Sequence, residues 1–380
     1  MRALNSYGVP CRLMAIDGRY SVKFGKLGLL FIAILAVAMV AEFGYMFVEH
    51  GKQEILHQEK LDRIEQVRDS MTANIAVYRS IVDRLSVVNR RVLTLVSENS
   101  KESQAFLGDI EKAWNQEYAR RVLEVLDYIK VEETKNKVFK LLISKTGIVR
   151  VAEPEQRYNW INSQLPAPTG ADYSDFKAIL YHRLDPRFLL FFAGAPASEI
   201  RLDQVRWNGE MCDGLPPLRK PKMVKPSAAD FMTPSDRVYG ADIDGKCFAC
   251  PRRILLWHDL VSFMMARRKL SAVYDAIDDT MVLFDMSAAG DNAVLGNSGF
   301  SYQSGKLLYD EQTKSLWSVA DGRPVVGKLV GEKIQLKQLP VQSTTWSQWS
   351  KQHPETLVVS PETGFSRDYS EAAAESSRTH

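Results

Sequence analysis

Three patterns of apolar residues divide the chain. The first is a continuous run from Leu27 to Val48, interrupted by one ionisable side chain, Glu42. As an α-helix rising about 1.5 Å per residue it spans roughly 33 Å, enough for a hydrocarbon core of about 30 Å. The second pattern is periodic. Between Lys52 and Leu107 there is neither Gly nor Pro, and Ile64, Val67, Met71, Ile75, Tyr78, Val82, Leu85, Val88, Val92 and Leu95 recur at steps of three or four. That spacing approaches the period of about 3.5 residues of a coiled coil. It predicts a helical stalk over residues 49–130, broken at Ser97 to Ser103 and resumed through Phe106, Ile110, Trp114, Tyr118, Val122, Val125 and Ile129. The stripe needs a partner, either a second copy in a homodimer or a helix folded back within the chain.

The third pattern is a series of short apolar runs. Val138 to Ile143 and Ile148 to Val151 flank Ser144-Lys145-Thr146-Gly147 and read as a β-hairpin. Phe176 to His182 reads as helix, and Arg187 to Phe192 as a buried strand ended by Gly194 and Pro196. A long helix leading into a hairpin and a later strand resembles, in element order, the extracytoplasmic sensor modules of the Cache or PAS type. No second membrane span follows to carry a signal inward. Beyond residue 230, strand candidates at Arg237 to Ile243, Ser271 to Tyr274, Met281 to Phe284, Lys306 to Tyr309, Val325 to Leu329 and Leu357 to Val359 alternate with turn dipeptides such as Asp244-Gly245 and Ser304-Gly305. Short helices are expected at Pro251 to Phe263 and Thr345 to His353.

Charge orients this layout. Arg2, Arg12, Arg19, Lys23 and Lys26 precede the apolar run, and Glu49 and Glu54 follow it. Basic flanks stay in the cytoplasm, so the expectation is a single-pass inner-membrane protein with a periplasmic body. Small residues such as Ala38 and Ala41 leave cleavage as a signal peptide open. The expected fold is α+β. A cytoplasmic tail (1–26) and transmembrane helix (27–48) lead to the stalk (49–130). A small α/β sensor-like module (131–206), a β-rich domain (207–370) and a disordered tail (371–380) follow. Balanced composition, with 49 basic and 46 acidic residues and a net charge of +3, supplies no basic field for nucleic acid.

The C-terminal domain carries an ordered set of motifs. Asp213-Gly-Leu-Pro-Pro-Leu and Pro221-Lys-Met-Val come first, then Val238-Tyr-Gly-Ala-Asp-Ile-Asp-Gly and Pro251-Arg-Arg-Ile-Leu-Leu-Trp-His-Asp. Leu307-Leu-Tyr-Asp-Glu-Gln-Thr-Lys-Ser-Leu-Trp-Ser, Gly322-Arg-Pro-Val-Val-Gly, Leu339-Pro-Val-Gln-Ser-Thr-Thr-Trp, His353-Pro-Glu-Thr-Leu-Val-Val-Ser and Gly364-Phe-Ser-Arg-Asp-Tyr complete the order. Together they resemble the bacterial and archaeal domain-of-unknown-function family numbered 3179. The resemblance implies a cysteine pair, within a Thr-Tyr-Cys-Pro-Leu-Cys-Gly pattern, on the strand after the Trp-His helix. Here that segment reads Val273-Tyr274-Asp275-Ala276-Ile277-Asp278-Asp279, with acidic residues at both cysteine positions.

Candidate chemistry is sparse. Thiolates suit soft metals, whereas carboxylates suit Ca²⁺, Mg²⁺ or Mn²⁺, so Asp275, Asp278 and Asp279 are the candidate ligands of a divalent metal, with solvated aspartates as the plainer account. No organic cofactor is expected. Cys247 and Cys250 form a lone CxxC, a candidate disulfide or redox pair only if the chain turns there, because an extended strand holds the two about 10 Å apart. His258, Asp310 and Arg367 are the candidate catalytic side chains, although Asp310 opens a turn and suits a capping role. Two functions follow: a membrane-anchored binding or scaffold protein of the cell envelope, or an extracytoplasmic metal-dependent or redox enzyme using His258 with Asp275 and Asp278, or Cys247 with Cys250. Whether the chain is an enzyme stays open at this point.

Overall fold

The computed structural model describes residues 72, 74–97, 99–147, 154–168 and 170–376. All of them fall in one compact unit. Its N-terminal part is helical, and the helices are short because polar residues cap them. A first helix (α1, described from residue 74) ends at residue 84. Ser86 then accepts a hydrogen bond from the Asn89 backbone N–H and opens α2 (Val87–Thr94). Asn99 caps α3 (Ser100–Lys112) in the same way, and Asn115 caps α4 (Gln116–Val125). These oxygens satisfy N–H groups that every helix start leaves unpaired. The expected stalk is thereby corrected. Where residues 49–130 are described they fold back repeatedly, and Val92, Leu95, Ile110, Val122 and Val125 are buried within the chain.

The expected sensor-like α/β module is also corrected. Val138 to Ile143 lie in a helix, α5 (Glu132–Thr146), which Gly147 ends in the left-handed conformation at φ +71°. Residues 148–151, the second arm of the expected hairpin, lie outside the described residues. Helices α6 (Pro154–Gln164) and α7 (Ala171–His182) follow. The expected strand at Arg187 to Phe192 is a 3-10 turn (Pro186–Phe188) leading into α8 (Leu189–Phe192). Asp185 caps that turn at the Arg187 N–H, and Pro186 occupies its first position, where a missing N–H costs nothing.

Among the described residues no helix is long and apolar enough to cross a membrane. The expectation of a single-pass inner-membrane topology, with a transmembrane helix and a periplasmic body, is not supported by any helix among these residues. The run Leu27 to Val48, on which that expectation rested, lies outside the described residues.

The C-terminal part is rich in sheet and contains three five-stranded sheets. In the first, the order is β1 (Val205–Trp207), β9 (Leu295–Tyr302), β10 (Gly305–Asp310), β11 (Leu316–Ser318) and β12 (Arg323–Val326). The second runs β13 (Lys337–Leu339), β8 (Thr280–Asp285), β7 (Arg268–Asp275), β6 (Leu260–Met265), β2 (Leu218–Arg219). The third runs β14 (Gln342–Thr345), β4 (Arg237–Ile243), β5 (Lys246–Pro251), β15 (Leu357–Val359), β3 (Met223–Val224). Pairing is antiparallel except for β2 with β6 and β15 with β5.

Alternation along the strands stacks these sheets in layers. On β10, Leu307 and Tyr309 join the helices' core, while Leu308 faces the second sheet with Val273 and Phe284. On β7, Leu270, Ala272 and Tyr274 point the other way, into the core shared with Tyr239, Phe248 and Cys250 of the third sheet. The outer face of that third sheet is covered by α10 (Trp346–Gln352), through Trp346 and Trp349. Gly240 of β4 permits this, because a Cβ there would lie 2.5 Å from the Trp349 ring. Between α9 (Arg252–His258) and α11 (Glu371–Ser376), Arg252 binds Glu371 and Glu375.

Helices and first sheet are joined by aromatic packing. The Phe300 ring lies 4.8 Å from Phe188, 4.9 Å from Tyr181 and 5.1 Å from Phe192, each edge-on. Such pairs contribute about 0.5–1.5 kcal/mol each beyond burial.

Candidate functional site

Three segments of the C-terminal part and one helix meet around a cleft of about 890 Å³. Its first wall is built by β1. Pairing of Arg206 with Ser301 fixes that strand at the edge of the first sheet, and the loop that follows is clamped onto β9. Asn208 donates its backbone N–H to Gly299 O at 2.9 Å, and the Trp207 indole N–H donates to Glu210 O at 2.6 Å. Gly299 has φ +78°, and any Cβ there would collide with Glu210 O, so only glycine lets the loop sit this close. Trp207 and Glu210 are thereby held at the cleft.

The second wall is the β9–β10 turn. Gln303 (φ +47°) and Ser304 (φ +66°) both adopt positive φ. This is the hairpin geometry usually given to Asn-Gly, and non-glycine residues that adopt it cost energy and gather at functional sites. Lys306 follows on β10, with Nζ bonded to Asp259 Oδ2 and to Tyr274 O. Burial lowers the Lys306 pKa, and the charges of Glu210 and Asp275 oppose that shift. The third wall is the end of β7, where Asp275, Ala276 and Ile277 line the cleft. Tyr158 of α6 closes the fourth side, and the Arg206 guanidinium lies over its ring at 4.1 Å. Tyr158, Arg206, Trp207 and Gly209 also line an adjoining recess of about 260 Å³, completed by Asp127, Tyr128 and Tyr181.

The side chains singled out in the sequence are dispersed relative to this cleft. His258 is buried at the end of α9. Its Nδ1 lies 2.7 Å from Pro216 O and its Nε2 lies 2.7 Å from Tyr369 OH. A carbonyl only accepts, so Nδ1 carries the hydrogen and Nε2 accepts from the tyrosine. Burial lowers the imidazole's pKa, in keeping with this neutral form. Asp310 caps its own turn, accepting from the backbone N–H groups of Gln312 and Thr313. The exposed Arg367 stacks over Trp257 at 5.0 Å.

The three aspartates also part company. Asp275 accepts from the Ile277 N–H at 2.9 Å and lines the cleft, while Asp278 is exposed on the turn. Asp279 accepts from Tyr239 OH (2.6 Å), Tyr274 OH (2.7 Å) and Arg252 Nε (2.9 Å), with Arg237 on its other oxygen. Burial would raise its pKa, but these hydrogen bonds outweigh it and hold the carboxyl below its ordinary value. Reciprocally, burial and the Asp279 carboxylate push Tyr239 up to about 12. No group of three or more His, Cys, Asp or Glu side chains placed to hold a metal occurs among the described residues.

Cys247 and Cys250 are both free thiols. They lie three residues apart on β5 and therefore face opposite sides of the sheet. Cys250 is fully buried in one core, and burial raises it to about 12. Cys247 packs against the other core with Sγ 3.2 Å from His353 Nδ1.

Residues 212–378 match the family model described as Protein of unknown function (DUF3179). This C-terminal region is a DUF3179 domain. No curated protein and no solved structure matches the chain. The DUF3179 domain supplies the walls made by the end of β7 and the β9–β10 turn. Tyr158, Gln204, Arg206, Trp207 and Glu210 come from outside the matched residues. These were missed in the sequence because the cleft straddles the boundary placed there between the expected module (131–206) and the β-rich domain (207–370). The Trp207-Asn208-Gly209 turn, with an aromatic beside a glycine, was the available signal.

Proposed function

We propose that the chain is a ligand-binding protein whose cleft, between α6 and the sheets of the DUF3179 domain, takes a small polar molecule. The observation that carries this reading is the composition of the cleft. Its volume falls in the range of about 300–1,000 Å³ usual for small-ligand sites. Tyr158 and Trp207 give it aromatic surface, and Asn159, Gln204, Asn208 and Gln303 surround that surface with amides. Amides both donate and accept, which suits a ligand with several hydroxyl, amide or carboxylate groups. The positive charges of Arg206 and Lys306 are offset by Glu210 and Asp275, and Lys306 is also bonded to Asp259, so the cleft favours a neutral or zwitterionic molecule over a polyanion.

Saturation-transfer difference NMR on the full chain tests this, using a panel of amino acids, betaines, monosaccharides and polyols. At least one panel member is expected to show saturation transfer that Trp207→Ala removes while the far-UV circular dichroism stays unchanged. Silence across the panel, or signals that persist undiminished in Trp207→Ala and in Asp275→Lys, would contradict the proposal.

A further inference from the structure

The recess beside the main cleft differs from it in character. Its lining is chiefly aromatic: Tyr128, Tyr158, Tyr181 and Trp207 contribute four of seven lining residues, and Asp127 contributes a carboxylate. The rings meet at angles. Tyr128 stands edge-on to Tyr181 at 5.9 Å and tilted against Trp207 at 6.0 Å, so they form a corner and not a flat stack. Ring faces carry the negative part of the aromatic quadrupole, and corners of this kind attract cations, quaternary ammonium groups above all.

The surrounding charge has the same sign. Tyr181 OH donates to Glu124 Oε1 at 2.9 Å behind the wall, which increases the electron density of the ring. Burial, and then the Glu124 charge, push the Tyr128 and Tyr158 hydroxyls well above their ordinary range. Glu124 is neutralised by Lys177, so the negative charge beside these rings is that of Asp127, which lines the recess. Two cations already lie near these rings: Arg206 over Tyr158, and Lys177, whose Nζ is 5.0 Å from the Tyr181 centroid. Lys177 is paired with Glu124 and so adds little net charge. Arg206 is different. Among the described residues its guanidinium has no hydrogen bond or ion pair, and it lines both the recess and the main cleft. A half-buried, unpaired guanidinium is a ready partner for a carboxylate.

Aromatic corner, carboxylate and free guanidinium stand together, and from this geometry we infer that the recess binds the methylated ammonium group of a small zwitterion whose carboxylate meets Arg206. This inference rests on the cleft being a ligand site and names the class of ligand. Glycine betaine is the simplest probe, and 3,3-dimethylbutanoate is its uncharged-head isostere, with carbon in place of nitrogen. Isothermal titration of the full chain with both separates cation recognition from shape. Glycine betaine is expected to bind about five- to thirtyfold tighter than the isostere, as a cation–π term of about 1–2 kcal/mol requires. Trp207→Ala should weaken betaine by a similar factor, while Trp207→Phe, which keeps an aromatic face, should largely preserve it. Arg206→Gln should weaken betaine more than tetramethylammonium, which has no carboxylate. Equal binding of betaine and isostere would overturn the inference. So would binding of a sugar or polyol from the panel with no response to betaine, a result that leaves the cleft as a ligand site. Absence of any ligand would overturn both.

Discussion

A buried neutral imidazole makes folding sensitive to acid. Burial lowers the folded-state pKa of His258 below its ordinary value of 6.5. The unfolded chain therefore takes up the proton first. The stabilisation is complete above the unfolded value and is lost as pH falls through the lowered folded value. Asp279 acts in the same direction at lower pH, below the ordinary carboxyl value of 3.8. Urea unfolding at pH 7 and pH 5 isolates the histidine. Wild type is expected to lose more stability across that interval than His258→Asn, and equal losses would refute the assignment. His258 was legible as a distinctive residue because it stands in the Trp257-His258-Asp259 motif, but its role was not. Its partners, Pro216 and Tyr369, are 42 and 111 residues away. No local pattern links such positions.

At the scale of elements, the most exposed energetic risk is an ion pair inside the helical layer. Lys177 on α7 and Glu124 on α4 have side-chain exposures of 0% and 2%. Glu124 is also bonded by Tyr173 and Tyr181, and Lys177 donates to Val205 O at 2.8 Å. The pair thus links two helices to β1, the strand that carries Arg206 and Trp207. Lys177→Met is expected to destabilise the fold by about 3–5 kcal/mol, because it leaves a carboxylate buried without its cation. Joint replacement, Glu124→Leu with Lys177→Met, should recover most of that loss; chemical denaturation of the two variants checks the difference.

Elements were legible where local signals agreed. Arg237 to Ile243 and Leu357 to Val359 were read as strands and are β4 and β15 with those bounds. In the first case Asp244-Gly245 marks the turn that ends the strand. Elsewhere one signal served two structures. Gly147 has the positive φ of a hairpin turn, and the same conformation caps a helix. Leu189 to Phe192 form an apolar run too short for periodicity to separate strand from helix. Ser86 and Asn115 occupied polar positions of apparently continuous stripes, yet each begins a new helix, whereas the break at Ser97 to Ser103 was legible and Asn99 opens α3 within it.

For the whole molecule, the layering explains why the cleft was invisible in the sequence. Its lining comes from residues 158–159, 204–215, 275–277 and 301–306. Packing of Phe188, Phe191 and Phe192 against Phe300 seats the helices on the first sheet and brings these segments together. The apolar character of each face was readable, but which face met which was not. A crystal structure of the full chain grown with its best-binding panel member tests the account most directly. It predicts density for that molecule in the cleft, in contact with Tyr158 and Trp207 and within hydrogen-bonding distance of Arg206 or Lys306. An empty cleft, with the same molecule bound elsewhere on the protein, would contradict it.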